Sequence, residues 1–245
     1  MGLPDLSAWQ VEMLRVTVFF STPVSAVGMN WWQRVTGMEP ESTTNRPQAG
    51  EYSEVGQYQN GQLELKVAFN RLDFIFSYPF SGMPGAPDPG KMEELSSHLV
   101  SSVNKVFPGM ELPIVRLAFG VVAHCPIPTI DDGNSILEMM VPFIKFDSSV
   151  KTSDVLIQVN NPVGSKVAKE ITVNRVSKVG VMTRQTVTVG PGGIPDLQVD
   201  RVVRAESDMS TDAENVSQIP SAALEDLVLE MKGLSDAFFS VGVKA

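Results

Sequence analysis

The sequence has few of the residues that build disulfide frameworks and metal centres. Its 245 residues include one cysteine, Cys125, and two histidines, His98 and His124. A single cysteine cannot form a disulfide within the chain, which fits a reducing compartment. Zinc sites need three or four converging ligands, and the sequence offers no recognisable set. We therefore expect no metal and no cofactor.

Positive charge and long apolar runs are also scarce. The chain has 19 Lys and Arg against 28 Asp and Glu, a formal net charge of −9. An acidic surface repels a phosphate backbone, which argues against nucleic acid as a partner. The apolar run from Val115 to Cys125 is interrupted by Arg116 and His124 and is too short to span a membrane. Because residues 1–5 contain no basic or apolar signal segment, we expect a cytoplasmic protein without membrane contact.

Familiar catalytic motifs are absent as well. No Gly-x-Ser-x-Gly elbow is present. The glycine-rich segment 189–193 lacks the Lys-Ser/Thr ending of a phosphate-binding loop. The acidic clusters at residues 131–132 and 208–214 lack the spacing of a calcium loop. No catalytic residue is predicted, and an enzyme is the less favoured class.

His124 and Cys125 are the one adjacent pair that resembles a metal or nucleophile site. Consecutive residues of a strand point to opposite faces, so these two side chains cannot easily share a ligand. We predict a buried thiol beside a half-exposed imidazole.

The first half of the chain reads as strand, short helix, three strands, helix and strand. The clearest part is an antiparallel meander from Glu51 to Tyr78, with turns at Asn60-Gly61 and Asn70-Arg71. Its alternating apolar residues are predicted to share one core with the helix that follows: Leu63, Leu65, Val67, Leu72, Phe74 and Phe76 with Leu95, Leu99 and Val103. The other predicted segments are strands at 11–20 and 114–125, a helical turn at 29–35, a helix at 92–106, and loops at 37–50 and 81–90.

The second half, like the first, is predicted to be a run of antiparallel strands with a long helix late in the unit, but the two sequences show no convincing internal repeat. Residues 136–146 are either a short helix or irregular, strands are predicted at 155–159, 171–176, 179–189 and 199–207, and a helix at 221–239. The predicted class is α+β, with two lobes of mainly antiparallel sheet, each with a long helix packed on it. The predicted lobes are residues 1–130 and 131–245, with one continuous domain as the alternative.

Three pieces of the sequence carry a resemblance to a known family. They are the hairpin from Gln62 to Tyr78, the helix after Gly90 with the strand Ile114–Gly120, and the turn Asp208–Thr211 before the last helix. Together they resemble a sporadically distributed bacterial family of uncharacterised function. The family usually has an Arg-x-Gly-x-Arg-Tyr-like strand where this chain lacks the second Arg and the Tyr. The resemblance implies a two-lobed α+β fold and no catalytic residue; the patchy distribution is associated with phage defence.

Two features of the sequence are candidate contacts for a partner. Five cations fall in a short stretch in which Glu170 is the only acid: Lys166, Lys169, Arg175, Lys178 and Arg184. They predict either contact with an acidic partner or RNA, or an ordinary solvated strand face. Trp31 and Trp32 are adjacent, so at least one is expected to be poorly buried. It would be either an anchor for a partner or packed against the meander.

These observations favour a non-catalytic interaction protein, an accessory subunit of a larger bacterial assembly with a link to phage defence. The expected partner is another protein. A metal-dependent hydrolase or nuclease that uses acidic residues is one alternative. A nucleic-acid-binding module that uses the basic stretch is the other.

Overall fold

The computed structural model describes residues 2–25, 29–78, 90–108, 113–147, 149–189, 195–214 and 217–244. Within these ranges the chain forms ten strands and four α-helices. The strands are β1 (Gln10–Phe20), β2 (Ser42–Arg46), β3 (Glu51–Tyr58), β4 (Gly61–Ala68), β5 (Arg71–Ser77), β6 (Ile114–Pro126), β7 (Leu156–Asn160), β8 (Val163–Gly164), β9 (Thr172–Val189) and β10 (Pro195–Thr211). The helices are α1 (Trp31–Thr36), α2 (Met92–Asn104), α3 (Ile130–Met140) and α4 (Ser221–Val241).

All ten strands belong to one antiparallel sheet. The strand order is β2-β3-β4-β5-β1-β6-β10-β9-β7, and β8 pairs with β9 beside this path. The predicted α+β class with an antiparallel sheet is therefore confirmed. Strands from before and after residue 130 meet where β6 pairs with β10, from Pro126 opposite Val202 to Ala118 opposite Ser210. The division into two lobes stays a prediction.

One face of the sheet, the core face, packs against the helices. The predicted core residues of the meander and of α2 are all buried in one cluster, which confirms that prediction. Helix α2 contacts β1, and α4 contacts both β6 and β10. The core face thus runs across the junction between the two predicted lobes. Within the described ranges, none of the helices combines the length and apolar character needed to cross a bilayer.

Several predicted boundaries are wrong. The predicted loop 37–50 contains β2, and the predicted turn at 208–211 is the last part of β10. Two predicted strands at 171–176 and 179–189 are the single strand β9. The meander turns fall one residue earlier than predicted, at Gln59-Asn60 and Phe69-Asn70. Most of the predicted loop 81–90 and the segment 190–193 lie outside the described residues.

Helix α3 begins earlier than the apolar pattern indicated. The Thr129 side chain accepts a hydrogen bond from the Asp132 backbone N–H, and the Asp132 carboxylate accepts one from the Thr129 N–H. This reciprocal capping box fixes the start of the helix at Ile130.

Candidate functional site

Trp31 and Trp32 both lie in the core. Their side chains are 4% and 2% exposed, so the expectation that one is poorly buried is wrong. A Cβ added at Gly56 would lie 2.9 Å from the Trp32 ring, which shows how closely β3 approaches this indole. Both tryptophans of the short helix α1 are thus buried, and neither offers an exposed anchor for a partner.

The five predicted cations are distributed over different surfaces. Lys166 and Lys169 are exposed in the segment before β9. Arg175 and Lys178 are three residues apart in β9 and so point to opposite faces. The Arg175 guanidinium is half-buried, its Nε donates a hydrogen bond to the Asn161 carbonyl at 2.7 Å, and burial lowers its pKa.

Two of these cations also have acidic partners. Lys178 Nζ lies 3.5 Å from the Glu206 carboxylate, and Arg184 lies 3.9 Å from that of Asp200. The five residues therefore do not form one continuous basic face. A partner-binding role for them stays a prediction.

His124 and Cys125 point to opposite faces of β6. Cys125 belongs to the core cluster, and burial raises the pKa of its thiol, which disfavours the nucleophilic thiolate. The expected half-exposed imidazole is wrong, because the His124 side chain is 0% exposed. Its neighbours in the sheet are Gln10 on β1 and Arg204 on β10.

A polar network surrounds His124 on the sheet face opposite the core, here called the polar face. A β-bulge in β1 lies between Val11 and Met13, at Glu12. Glu12 Oε1 lies 3.0 Å from His124 Nδ1, and Arg204 Nε donates to Glu12 Oε2 at 2.8 Å. Arg204 Nη1 also bonds Glu206, which continues the network to Lys178.

The charges in this network stabilise one another. Burial raises the pKa of Glu12, but its contacts with His124 and Arg204 lower it more, so the net pKa is below its ordinary value. Burial lowers the pKa of Arg204, and the two carboxylates Glu12 and Glu206 raise it to a greater extent. Glu12 is thus held as an anion beside Arg204, an arrangement that joins β1, β6 and β10.

The same pattern continues along the polar face. Arg15 lies 3.3 Å from Asp208, and the buried Asp73 accepts hydrogen bonds from Thr17 and Arg71. Within the described part of the chain, no group of three or more His, Cys, Asp or Glu side chains is placed to hold a metal ion.

A second candidate surface is a two-stranded extension that we call the β-arm, residues 183–189 and 195–201. Its strands pair with each other from Thr183 opposite Arg201 to Val189 opposite Pro195. The neighbouring strands end before it: β7 pairs with β9 only as far as Gly180, and β6 pairs with β10 only from Val202. The β-arm thus extends beyond the rest of the sheet.

The β-arm exposes apolar side chains on one side. Val187 and Leu197 are cross-strand partners, 61% and 56% exposed, and Val199 on the same side is 44% exposed. Because side chains alternate along a strand, this side is the continuation of the core face, where Val181 and Val203 are buried. These three exposed apolar side chains are separated from the buried pair Val181 and Val203 by the polar pair Thr183 and Arg201.

A cleft lies where the β-arm joins the sheet. It has a volume of about 780 Å³ and is formed by α3, residues 146–147 and 149–152, and Arg201 at the base of the β-arm. We call it the α3 cleft. Its lining includes the half-buried Ile130 and Phe146 and the exposed Val150. On its wall, Glu138 accepts a hydrogen bond from the Phe146 N–H at 2.7 Å and lies 3.2 Å from Lys145, contacts that lower the pKa of this carboxyl.

Neither surface is predicted from the sequence. The predicted strand 179–189 contains alternating valines, which are equally typical of a buried strand. One signal was present: residues 185–199 contain a single charged residue, Asp196, in a chain that is 19% charged. The α3 cleft depends on the packing of residues 146–147 and 149–152, which show no periodic pattern in the sequence.

Comparison with known proteins adds no identity. No family model matches the chain, and no curated protein matches it. The resemblance to a sporadic bacterial family stays a prediction.

Proposed function

We propose that this protein acts without catalysis, by binding another protein through the β-arm, as an accessory subunit of a larger bacterial assembly. The observation that carries the proposal is the exposed row of Val187, Leu197 and Val199. Exposed contiguous apolar surface is characteristic of binding sites in soluble proteins. An isolated two-stranded hairpin is also only marginally stable in water, so a bound partner would stabilise the β-arm.

The backbone of the β-arm supports the same proposal. Sheet edges are usually protected by short strands or by charged residues. The outer strands of the sheet, β2 and β7, are five residues long. The β-arm instead has seven paired residues on each strand, and its stretches 185–189 and 197–199 contain no charged residue. Such a strand can add to the sheet of another protein.

The polar face has a different character. Its carboxylates contact cations of the same chain, as in the pairs of Glu12 with Arg204 and of Asp208 with Arg15. A partner would have to replace these pairs to bind there. The exposed side chains Val187, Leu197 and Val199 are apolar and form no ion pairs that a partner would have to break. Their burial by a partner is therefore favourable.

The test replaces the apolar pair of the β-arm. In Val187→Lys/Leu197→Glu, the opposite charges face each other across the strands and maintain the hairpin. The matched control is Leu229→Lys, at an exposed position of α4. We expect tagged wild type and the control to capture the same stoichiometric partner from the native host, and the double variant to lose it at an unchanged melting temperature. Equal capture by all three would contradict the proposal.

A further inference from the structure

We propose that the α3 cleft binds a small zwitterion, a molecule that carries both an ammonium group and a carboxylate on an apolar body. Free amino acids with an apolar side chain and short apolar peptides share this chemistry. The cleft is separate from the exposed apolar side chains of the β-arm, so the proposal goes beyond the proposed function and does not depend on it.

One wall of the cleft is a polar side of helix α3. Asp131, Asn134, Ser135 and Glu138 line the cleft. Their spacing of three and four residues places them together on one side of the helix. The helix thus presents to the cleft a row of groups that can accept hydrogen bonds.

The amide of Asn134 has an unused acceptor in this row. Asn134 is 7% exposed, and its Nδ2 donates a hydrogen bond to the Thr152 carbonyl at 3.1 Å, which fixes the orientation of the amide. Within the described ranges, no group donates a hydrogen bond to its Oδ1. A buried acceptor without a donor is costly. A ligand that brings an N–H group into the cleft would remove this cost.

Three charged side chains of the cleft are also without a charged partner. Asp131 lies on α3, Lys151 on segment 149–152 and Arg201 on β10. In the part of the chain that the structure describes, none of the three forms an ion pair. Oppositely charged groups that line one cleft without contacting each other can each bind one end of a zwitterion.

The other two carboxylates of the cleft are already engaged. Glu138 accepts a hydrogen bond from the Phe146 N–H, and Asp147 accepts two from Ser149, from its N–H at 2.8 Å and its hydroxyl at 2.7 Å. Asp131 is therefore the carboxylate of the cleft that is available to a ligand cation. A chain with a net charge of −9 repels a simple anion, which favours a ligand that carries a cation as well as a carboxylate.

The remaining lining suits an apolar body. Ile130 and Phe146 are half-buried, and Val150 is 59% exposed. The volume of about 780 Å³ lies within the range of small-molecule sites. An aromatic amino acid can place its ring against Phe146. We therefore choose L-phenylalanine as the first probe.

The first experiment compares probes that share one aromatic group, by titration calorimetry on the wild-type protein. The zwitterions are L-phenylalanine and phenylalanyl-phenylalanine; phenethylamine lacks the carboxylate, and 3-phenylpropionate lacks the ammonium group. We expect a zwitterion to bind and each singly charged probe to bind about ten-fold more weakly. The tighter zwitterion distinguishes an amino acid from a peptide as the source. Failure of both zwitterions to bind at millimolar concentration, or equal affinity of a singly charged probe, overturns the proposal.

The second experiment assigns each end of the ligand to its partner. Asp131→Asn should weaken binding of the zwitterion about ten-fold and leave 3-phenylpropionate unchanged, because only the ammonium group loses its partner. Arg201→Gln should weaken the zwitterion and leave phenethylamine unchanged. The matched control is Asp226→Asn, at an exposed position of α4 outside the cleft, which should bind like wild type. A zwitterion affinity that neither cleft variant changes would overturn the proposal.

The outcome is separable from that of the proposed function. Val187→Lys/Leu197→Glu should bind the zwitterion with wild-type affinity, since its substitutions lie outside the cleft lining. A wild-type protein that captures a host protein through the β-arm but binds neither zwitterion would refute the cleft site and leave the proposed function intact.

Discussion

On the polar face, neighbouring strands are joined by contacts between charged and polar side chains, whereas on the core face they are joined by apolar packing. Glu12, on β1, contacts His124 on β6 and Arg204 on β10, and Arg204 in turn bonds Glu206. Buried charges are costly to remove from water unless each has a partner. Glu12, Arg204 and Glu206 are only half-buried, so removal of Glu12 would leave the fully buried His124 without its carboxylate contact and Arg204 with Glu206 alone. The contacts of Glu12 therefore favour one relative position of the three strands.

Glu12 should make a pH-dependent contribution to stability. Its pKa in the folded state lies below the ordinary value of 4.5, so its contribution is present above that pH and is lost as the pH falls through the folded pKa. Glu12→Gln should be less stable than wild type at neutral pH, and the gap in melting temperature should narrow below about pH 4.5 as wild-type Glu12 becomes protonated.

The control for this comparison is Glu64→Gln, a carboxylate on β4 away from the network. The melting temperature of Glu64→Gln should differ little from that of wild type at every pH, because a charge of this kind contributes little to stability. If the difference in melting temperature between Glu12→Gln and wild type stayed constant over the same pH range, the charge of the Glu12 carboxylate would make no contribution to stability.

Among the elements, the meander shows how a turn sets the register of a sheet. Tyr58 pairs with Gly61, which places the turn at Gln59-Asn60. Gly61 is in contact with β5: a Cβ there would lie 2.7 Å from the Phe76 ring and 2.7 Å from the Ser77 carbonyl oxygen. The glycine is therefore needed for close approach between neighbouring strands, while the left-handed position of the turn is Gln59, with φ of 51°.

A methyl group at Gly61 should destabilise the fold. Gly61→Ala must displace either the buried Phe76 or the backbone of β5, and overpacking of this kind costs about 1–3 kcal/mol. Gly164→Ala on β8 is the matched control, because no atom lies within 4 Å of the added methyl group. Chemical denaturation would measure the free energy of unfolding of both variants. Equal free energies of unfolding for the two variants would mean that β5 moves aside at no cost.

The elements also show what the sequence could predict. Strands with one buried face, such as β4 and β5, have a clear alternation of apolar and polar residues, and so does the buried face of α2. Strand β2 has five exposed residues and hence no such alternation. The start of α3 is set by a capping box. This motif depends on two particular side chains, Thr129 and Asp132, so the periodic pattern of apolar residues does not reveal it. Likewise the Glu12 network joins residues up to 192 positions apart, a distance over which no local pattern operates.

In the whole molecule, contacts cross the boundary between the predicted lobes in several places. Strand β10 pairs with β6 along nine positions, from Val202 to Ser210. Trp9 and Phe239, near the two ends of the chain, pack edge to face with ring centroids 5.0 Å apart. Helix α4 also contacts α2. These contacts favour a single cooperative unit over two lobes that unfold separately.

Cooperativity between the halves can be tested with the native tryptophans. Trp9, Trp31 and Trp32 are the three tryptophans of the chain, and all lie within residues 1–130. Val179 is a buried residue of β9, in the other half of the chain. Val179→Ala should cost about 1.5 kcal/mol, from the loss of two buried carbon groups. If the sheet unfolds as one unit, the tryptophan fluorescence transition should shift to lower denaturant concentration by the same amount as the transition seen by circular dichroism. A fluorescence transition that stays in place while circular dichroism shifts would instead show that residues 1–130 and 131–245 unfold as independent lobes.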